Sequence, residues 1–171
     1  IRGLKRYAVE HEGEIKVPKI MDKTGKKVAI VGGGPSGLSA AFYLSIMGHD
    51  VTVYEQRKKL GGMLRYGIPA YRLPREILDH EIEGLMKTGF KVETDISIGK
   101  DISLAQLKKD YDAVYVSIGA HTDKKLGIPG EDAEGVISAV EMLRNIGDDK
   151  YPDFSGLEVV VVGGGNVAMD V

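Results

Sequence analysis

Apolar positions fall into short runs separated by glycine-rich breaks, and the period within the runs alternates between that of a strand and that of a helix. Residues 1–22 mix charge with scattered apolar residues. They predict a short helix and an extended arm containing Pro18, with too little apolar surface for a core of their own. Residues 26–31 form a β-rich apolar run that stops at Gly32, Gly33 and Gly34. Leu38, Ala41, Phe42 and Leu44 then recur at helical spacing over 36–47, and Gly48 ends that segment. In 50–55, Val51, Val53 and Glu55 alternate as on a strand. Strand, glycine turn, helix and strand within about 30 residues predict a right-handed parallel βαβ crossover.

A long loop is expected over 56–73, holding Gly61, Gly62 and Pro69, with Pro74 at a first helical position. Ile77, Leu78, Ile82, Leu85 and Met86 predict an amphipathic helix that stops near Gly89. Short strands are expected at 90–94 and 96–98, followed by a brief helix capped by Ser103 and running through Leu107. Residues 111–118 read as a further strand ending at Gly119 and Ala120, 128–130 as a turn and 136–146 as a helix. A last strand over 156–162 runs into Gly163, Gly164 and Gly165, with a new helix after it. The alternation predicts an α/β fold with a parallel central sheet. Residues 157–168 repeat the pattern of 26–37, so the βα unit begins twice.

Composition narrows the chemistry. With 171 residues, 43% hydrophobic and 28% charged, the chain suits one globular core and at most part of a second. A net charge of −2 gives no reason to expect nucleic acid. No apolar stretch reaches the ~20 residues of a membrane span, and no secretory signal opens the chain, so the expected location is cytoplasmic. Cysteine is absent. Disulfides, thiolate metal sites, iron–sulfur ligation and dithiol redox chemistry are therefore excluded within these residues, and electron chemistry must ride on an organic cofactor. His11, His49, His80 and His121 lack metal-ligand spacing, so no metal is expected. No serine, histidine and acid arrangement suggests hydrolysis, and no catalytic side chain is expected. The chain opens at Ile1 and closes at Val171 inside a predicted helix, and so reads as a truncated segment of a longer protein.

Residues 32–37, Gly-Gly-Gly-Pro-Ser-Gly, are a G-x-G-x-x-G between a strand and a helix. Gly32 permits the tight turn, Gly34 lets backbone approach a pyrophosphate, and Gly37 allows close packing of helix on strand. The helix N-terminus offers free N–H groups to the anion. Glu55, 23 positions after Gly32, ends the second strand, where a carboxylate accepts hydrogen bonds from ribose hydroxyls. A guanidinium in the glycine-rich loop, Arg65 or Arg72, suits a phosphate. Residues 163–168, Gly-Gly-Gly-Asn-Val-Ala, are the G-x-G-x-x-A variant of the same turn.

The run VAIVGGGPSGLSAAFYLSIMGHDVTVYEQRKKLGGMLRYGIPAYRLP, with GGGNVAMD near the end, closely resembles the FAD domain of the glutamate synthase small (β) subunit family. Dihydropyrimidine dehydrogenase, NADPH-dependent ferredoxin oxidoreductases and adrenodoxin reductase-like enzymes are its relatives. The resemblance covers nearly the whole chain and implies a Rossmann-like FAD/NAD(P)-binding fold. It implies that Ser36 and its neighbours Gly32, Gly34, Pro35 and Gly37 meet the FAD pyrophosphate, and that Glu55, with Gln56 beside it, meets the adenosine ribose. Gly61, Gly62 and Met63 would line the flavin side, with Arg65 in the same loop and Arg72 reaching a phosphate. Ile102 would flank the adenine, and Gly119 and Ala120 would approach the cofactor, although the sequence departs from the family pattern at Ile118 and Ala120. Gly165, Asn166 and Val167 would meet the pyrophosphate of NADPH or NADH.

The implied organisation is an arm at 1–22 leading from an iron–sulfur domain, an FAD-binding part at 23–126, a crossover segment at 127–155, and the beginning of an NAD(P)H-binding part at 156–171. The implied function is electron transfer from NAD(P)H through FAD to an iron–sulfur domain or subunit, such as a glutamate synthase large subunit, with this segment inactive alone. Two alternatives are a nucleotide-binding module without its own catalysis and an NAD-dependent dehydrogenase that places NAD at the first glycine turn.

Overall fold

A computed structural model describes every residue of the chain except Glu12 and Glu14. The part of the expected N-terminal arm at those two positions lies outside the described residues. Before it stands a short helix, α1 (Arg2–Glu10). Four strands then make one sheet: β1 (Lys27–Val31), β2 (Asp50–Tyr54), β3 (Lys91–Glu93) and β4 (Ala113–Val116). Their order is β3-β2-β1-β4 and every pairing is parallel. This is the α/β architecture expected, with the strand order of the first half of a Rossmann sheet.

The sheet is covered on both faces at its inner strands β1 and β2, while β3 and β4 stay largely exposed. Because side chains alternate along β1, Val28 and Ile30 point to one layer while Ala29 and Val31 point to the other. The first layer is closed by α2 (Pro35–Ile46) and α4 (Arg75–Met86), whose Leu38, Ala41, Leu78 and Ile82 pack on Val51, Val53 and Phe90. The second layer is closed by α5 (Leu104–Asp110) through Leu107. Ile30 and Val53 are fully buried, so the centre of the core lies directly beneath the first glycine turn.

Local chemistry sets most element ends. Gly48 takes φ +83°, a conformation that ends α2, and its Cβ position is blocked by the Asp22 carbonyl oxygen at 2.1 Å. The Ser103 hydroxyl accepts the Gln106 N–H at 3.0 Å and caps α5. Ser138 does the same for Glu141 at 3.1 Å and starts α6 (Ala139–Gly147). Asp112 accepts from Lys26 and from the Lys27 N–H, both at 2.8 Å, joining β4 to β1 at the end remote from the glycine turn.

Four local expectations are corrected. The loop at 56–73 contains a one-turn helix, α3 (Met63–Tyr66), launched by Gly61 at φ +120° and Gly62 at φ +51°. Pro74 stands just before α4 as its cap, not within its first turn. The strand expected at 96–98 is reduced to a single bridge between Ile98 and Ile102, because Asp95 at φ +58° breaks the extension and the Ser97 N–H turns to the Asp101 carboxylate. The strand expected at 156–162 does not form: among the described residues no strand lies beside it, and Val160 is 85% exposed. The second copy of the βα unit is therefore a turn and a short helix, α7 (Asn166–Asp170). No helix among the described residues is long and apolar enough to cross a membrane.

Candidate functional site

The first glycine turn is fastened on three sides. Gly32 donates its N–H to the Tyr54 carbonyl at 2.8 Å, and Gly33 donates to Glu55 Oε2 at 2.8 Å. The other oxygen of Glu55 accepts the Arg57 N–H at 2.9 Å. On the β4 side the Ser117 hydroxyl donates to the carbonyls of Val31 and Gly32 at 3.1 and 3.2 Å. On the third side the Gly61 N–H donates to the Gly33 carbonyl at 2.9 Å.

The closeness of these segments explains the glycines. A Cβ on Gly37 would stand 1.9 Å from the Gly32 carbonyl oxygen, and one on Gly62 would stand 2.6 Å from the Gly34 Cα. Gly32 has φ +108°, and a side chain there would meet the Ser117 carbonyl oxygen at 2.4 Å. The turn opens into α2, whose N-cap is Gly34 and whose first turn carries no side-chain cap. Uncapped N–H groups at the positive end of a 12-residue helix, approached by backbone without a Cβ, have the chemistry to receive an anion such as a pyrophosphate. Glu55 is 6% exposed, and two backbone donors leave its carboxylate further lone pairs for hydroxyl donors.

The other residues expected at the site are distributed as follows. Pro35 and Ser36 are exposed at the start of α2, and the Ser36 hydroxyl lies 2.9 Å from that of Tyr115 on β4. Met63 is 37% exposed at the head of α3. Gln56 is exposed and lines a cleft of about 300 Å³ together with Arg57, Lys59, Tyr66, Asp148 and Lys150. Ile102 packs against the cluster of Ala29, Val31 and Leu107. Gly119 (φ +70°) and Ala120 are exposed beyond β4.

Of the two arginines, Arg65 is buried and Arg72 is exposed in the loop. Arg65 is 2% exposed; its Nε donates to the Leu60 carbonyl at 2.7 Å, and its guanidinium pairs with Asp79. Arg65→Met, which keeps the apolar stem and removes these bonds, is expected to lower stability by about 2 kcal/mol, read from urea unfolding of the protein without ligand. Arg72 is held by Asp170 of α7 at 2.5 Å, and Tyr71 also donates to Asp170 at 3.3 Å. The flavin-side loop expected from the sequence is therefore tied to the helix that follows the second glycine turn.

That second turn is more open. Gly163 adopts φ +134° and α7 is uncapped, but a Cβ on Gly164 or Gly165 would meet nothing within 4 Å. Gly165 is the N-cap of α7, Asn166 its first residue, and Val167 is 44% exposed.

Ser117 and Arg75 were not singled out from the sequence. Ser117 is the one aliphatic hydroxyl in the run of 111–118, and that is a signal for it. Arg75 donates to the carbonyls of Leu64 and Ile68 at 3.2 and 2.9 Å and so holds α3; burial pushes its pKa below the usual guanidinium value. Tyr66 is 2% exposed and exchanges hydrogen bonds with the Lys59 backbone; burial raises its phenol pKa.

A parallel sheet in the order 3-2-1-4, with an uncapped helix behind a glycine turn and an acid at the end of β2, defines a dinucleotide-binding α/β protein. The chain belongs to the pyridine nucleotide-disulphide oxidoreductase family, whose model matches residues 26–171. It is 48% identical over 149 residues to the NADP(+)-dependent formate dehydrogenase subunit beta of Moorella thermoacetica, covering 86% of this chain and 21% of that protein. It is 40% identical over 164 residues to the glutamate synthase [NADPH] small chain of Bacillus subtilis, covering 91% and 33% respectively. The solved structure of Mycobacterium tuberculosis FprA in complex with NADPH matches 85% of this chain with a TM-score of 0.73 and 30% identity, over 35% of its own length. The chain thus spans about a third or less of these relatives. The resemblance to the glutamate synthase small subunit holds, and the relatives are oxidoreductases. FAD and a pyridine nucleotide, the cofactors expected from the sequence, are those of the family. The family name refers to disulphide chemistry, yet the chain has no cysteine.

Proposed function

We propose that this chain forms the FAD seat of an oxidoreductase that takes electrons from NADPH or NADH and passes them to an iron–sulfur domain or subunit. FAD, when bound, supplies acceptance of a hydride and release of electrons one at a time. The observation that carries the reading is the uncapped α2 N-terminus behind Gly32–Gly34, with the buried Glu55 anchored beside it and Gly62 closing against Gly34.

In this reading Gly34, Ser36 and Gly37 hold the pyrophosphate through backbone N–H groups and the Ser36 hydroxyl, and Pro35, which has no N–H to donate, fixes the first helical residue beside it. Glu55 accepts from the ribose, where its charge would repel a 2′-phosphate. Gly61, Gly62 and Met63 border the flavin, with Gly119 and Ala120 opposite. Residues 23–126 carry this part, 127–155 cross over, and 156–171 begin the pyridine-nucleotide part, in which Gly165, Asn166 and Val167 face the second pyrophosphate. Whether Arg72 leaves Asp170 to reach a phosphate is decided by the competition between carboxylate and phosphate for one guanidinium.

Calorimetric titration with FAD, with NADPH as the parallel ligand, tests the reading. Tight FAD binding with NADPH at least about tenfold weaker is expected, a difference of about 1.4 kcal/mol. FAD binding no tighter than NADPH binding would overturn it in favour of an NAD-type site at the first turn. Bleaching of the bound flavin by NADPH in the full-length protein separates an electron-transfer enzyme from a module that holds a nucleotide without turnover.

A further inference from the structure

Helix α6 lies in the segment expected to be a crossover, yet it is fastened to both stretches proposed above as walls of the FAD seat. At its C-terminal end, Asp148 accepts from Arg57 at 2.6 Å, with both side chains at least three-quarters buried. The same Arg57 guanidinium lies 4.7 Å from the centre of the Tyr66 ring. Gly147 rests directly on that ring: a Cβ there would stand 2.6 Å from Tyr66 Cδ1, 3.0 Å from the Tyr66 Cα and 3.0 Å from the Arg65 carbonyl oxygen. Arg57 and Tyr66 bracket Gly61 and Gly62, so the helix end grips the flavin-side loop before and after its glycines. From the preceding turn of α6, Arg144 donates to the His121 carbonyl, next to Gly119 and Ala120.

We propose that α6 is a brace that sets the separation of the two walls, with Gly147, Asp148 and Arg144 acting as positioning residues for FAD. Gly61 donates to the Gly33 carbonyl and Gly62 abuts Gly34, so a shift of the loop is transmitted to the backbone that cradles the pyrophosphate. The inference rests on the FAD reading above, and the groups it names lie outside the residues proposed to touch the cofactor.

Gly147→Ala isolates the idea. Gly147 is helical with an ordinary φ, so alanine adds no backbone strain and improves helix propensity. The one thing it alters is the docking distance to Tyr66 and Arg65. FAD affinity, the visible spectrum of bound FAD and the far-ultraviolet circular dichroism of the ligand-free protein are measured for wild type, Gly147→Ala, Asp148→Asn and Asp148→Glu. Expected are unchanged circular dichroism, a loss of FAD affinity of about tenfold in Gly147→Ala and Asp148→Asn, a displaced flavin spectrum, and recovery in Asp148→Glu. Wild-type affinity and spectrum in both Gly147→Ala and Asp148→Asn would overturn the brace while leaving the FAD seat standing. Should Gly147→Ala fail to fold, Asp148→Asn decides alone by the same two readings. Absence of FAD binding in the wild type would overturn the FAD reading itself.

Discussion

Gly37→Ala is expected to abolish FAD binding and to lower the stability of the ligand-free protein by about 3 kcal/mol, the upper part of the range for overpacking. The backbone angle is not the reason, since Gly37 sits in regular helix. The added carbon would lie 1.9 Å from the Gly32 carbonyl oxygen, 3.1 Å from the Gly32 carbonyl carbon and 2.9 Å from Ser117 Oγ. Two of these are backbone atoms at the end of the central strand, which cannot rotate out of the way as a side chain does. Relief requires the first turn of α2 to lift off β1, which withdraws the N–H groups from the phosphate position and breaks the Ser117 bonds to Val31 and Gly32. Calorimetry with FAD and urea unfolding read the two consequences separately. Gly164→Ala is the internal control, because nothing lies within 4 Å of its Cβ; a change below about 0.5 kcal/mol is expected there. Retention of full FAD affinity by Gly37→Ala would show that FAD does not sit on this turn.

Glu55→Ala is expected to cost about 3 kcal/mol of stability and about a hundredfold in FAD affinity. Its removal leaves the Gly33 and Arg57 N–H groups facing a void, and a buried donor without an acceptor costs about 1–3 kcal/mol. The Gly33 donor belongs to the turn itself, so the loss of affinity is larger than one ribose contact accounts for. Glu55→Gln separates the contributions. Its amide oxygen can satisfy one of the two donors, but its NH₂ group confronts the other, so an intermediate loss of stability is expected. If Glu55→Ala unfolds at the wild-type urea concentration, the carboxylate is not the anchor of the turn.

The parts legible in the sequence are those whose determinants are local. Periodicity and a terminating glycine placed β1, α2 and β2 within a residue or two, and Ser103 announced α5 through a bond spanning three positions. The place of Glu55 beside the turn follows from motif spacing, since one βα unit fixes where a strand end meets the turn, but its bond to the Gly33 N–H does not follow from the ribose role the motif assigns it. Four residues are too few to show a period, so α3 was hidden; it depends on two glycines at positive φ. Residues 157–162 have the pattern of a strand, but a strand exists only beside another, and pattern does not report neighbours. Arg65 appeared as a loop cation because no local rule says that Asp79, a turn into α4, will take its guanidinium. The pairing of Arg57 with Asp148 joins positions 91 apart and was invisible for the same reason.

The parallel sheet also sets an order of assembly. β1, α2 and β2 form a contiguous unit whose contacts close over a short loop, including the 22 positions between Gly33 and Glu55. β4 reaches the other edge of β1 across 85 positions, and closing that longer loop costs about 1 kcal/mol more chain entropy before any contact repays it. Non-local parallel pairings of this kind slow folding. The Ser117 hydroxyl is therefore expected to reach Gly32 after the βαβ unit has formed, so that Ser117→Ala speeds unfolding more than it slows refolding in stopped-flow measurements. A ligand held by the completed turn binds a feature absent from the early states, so it acts mainly as a brake on unfolding and leaves the folding rate nearly unchanged.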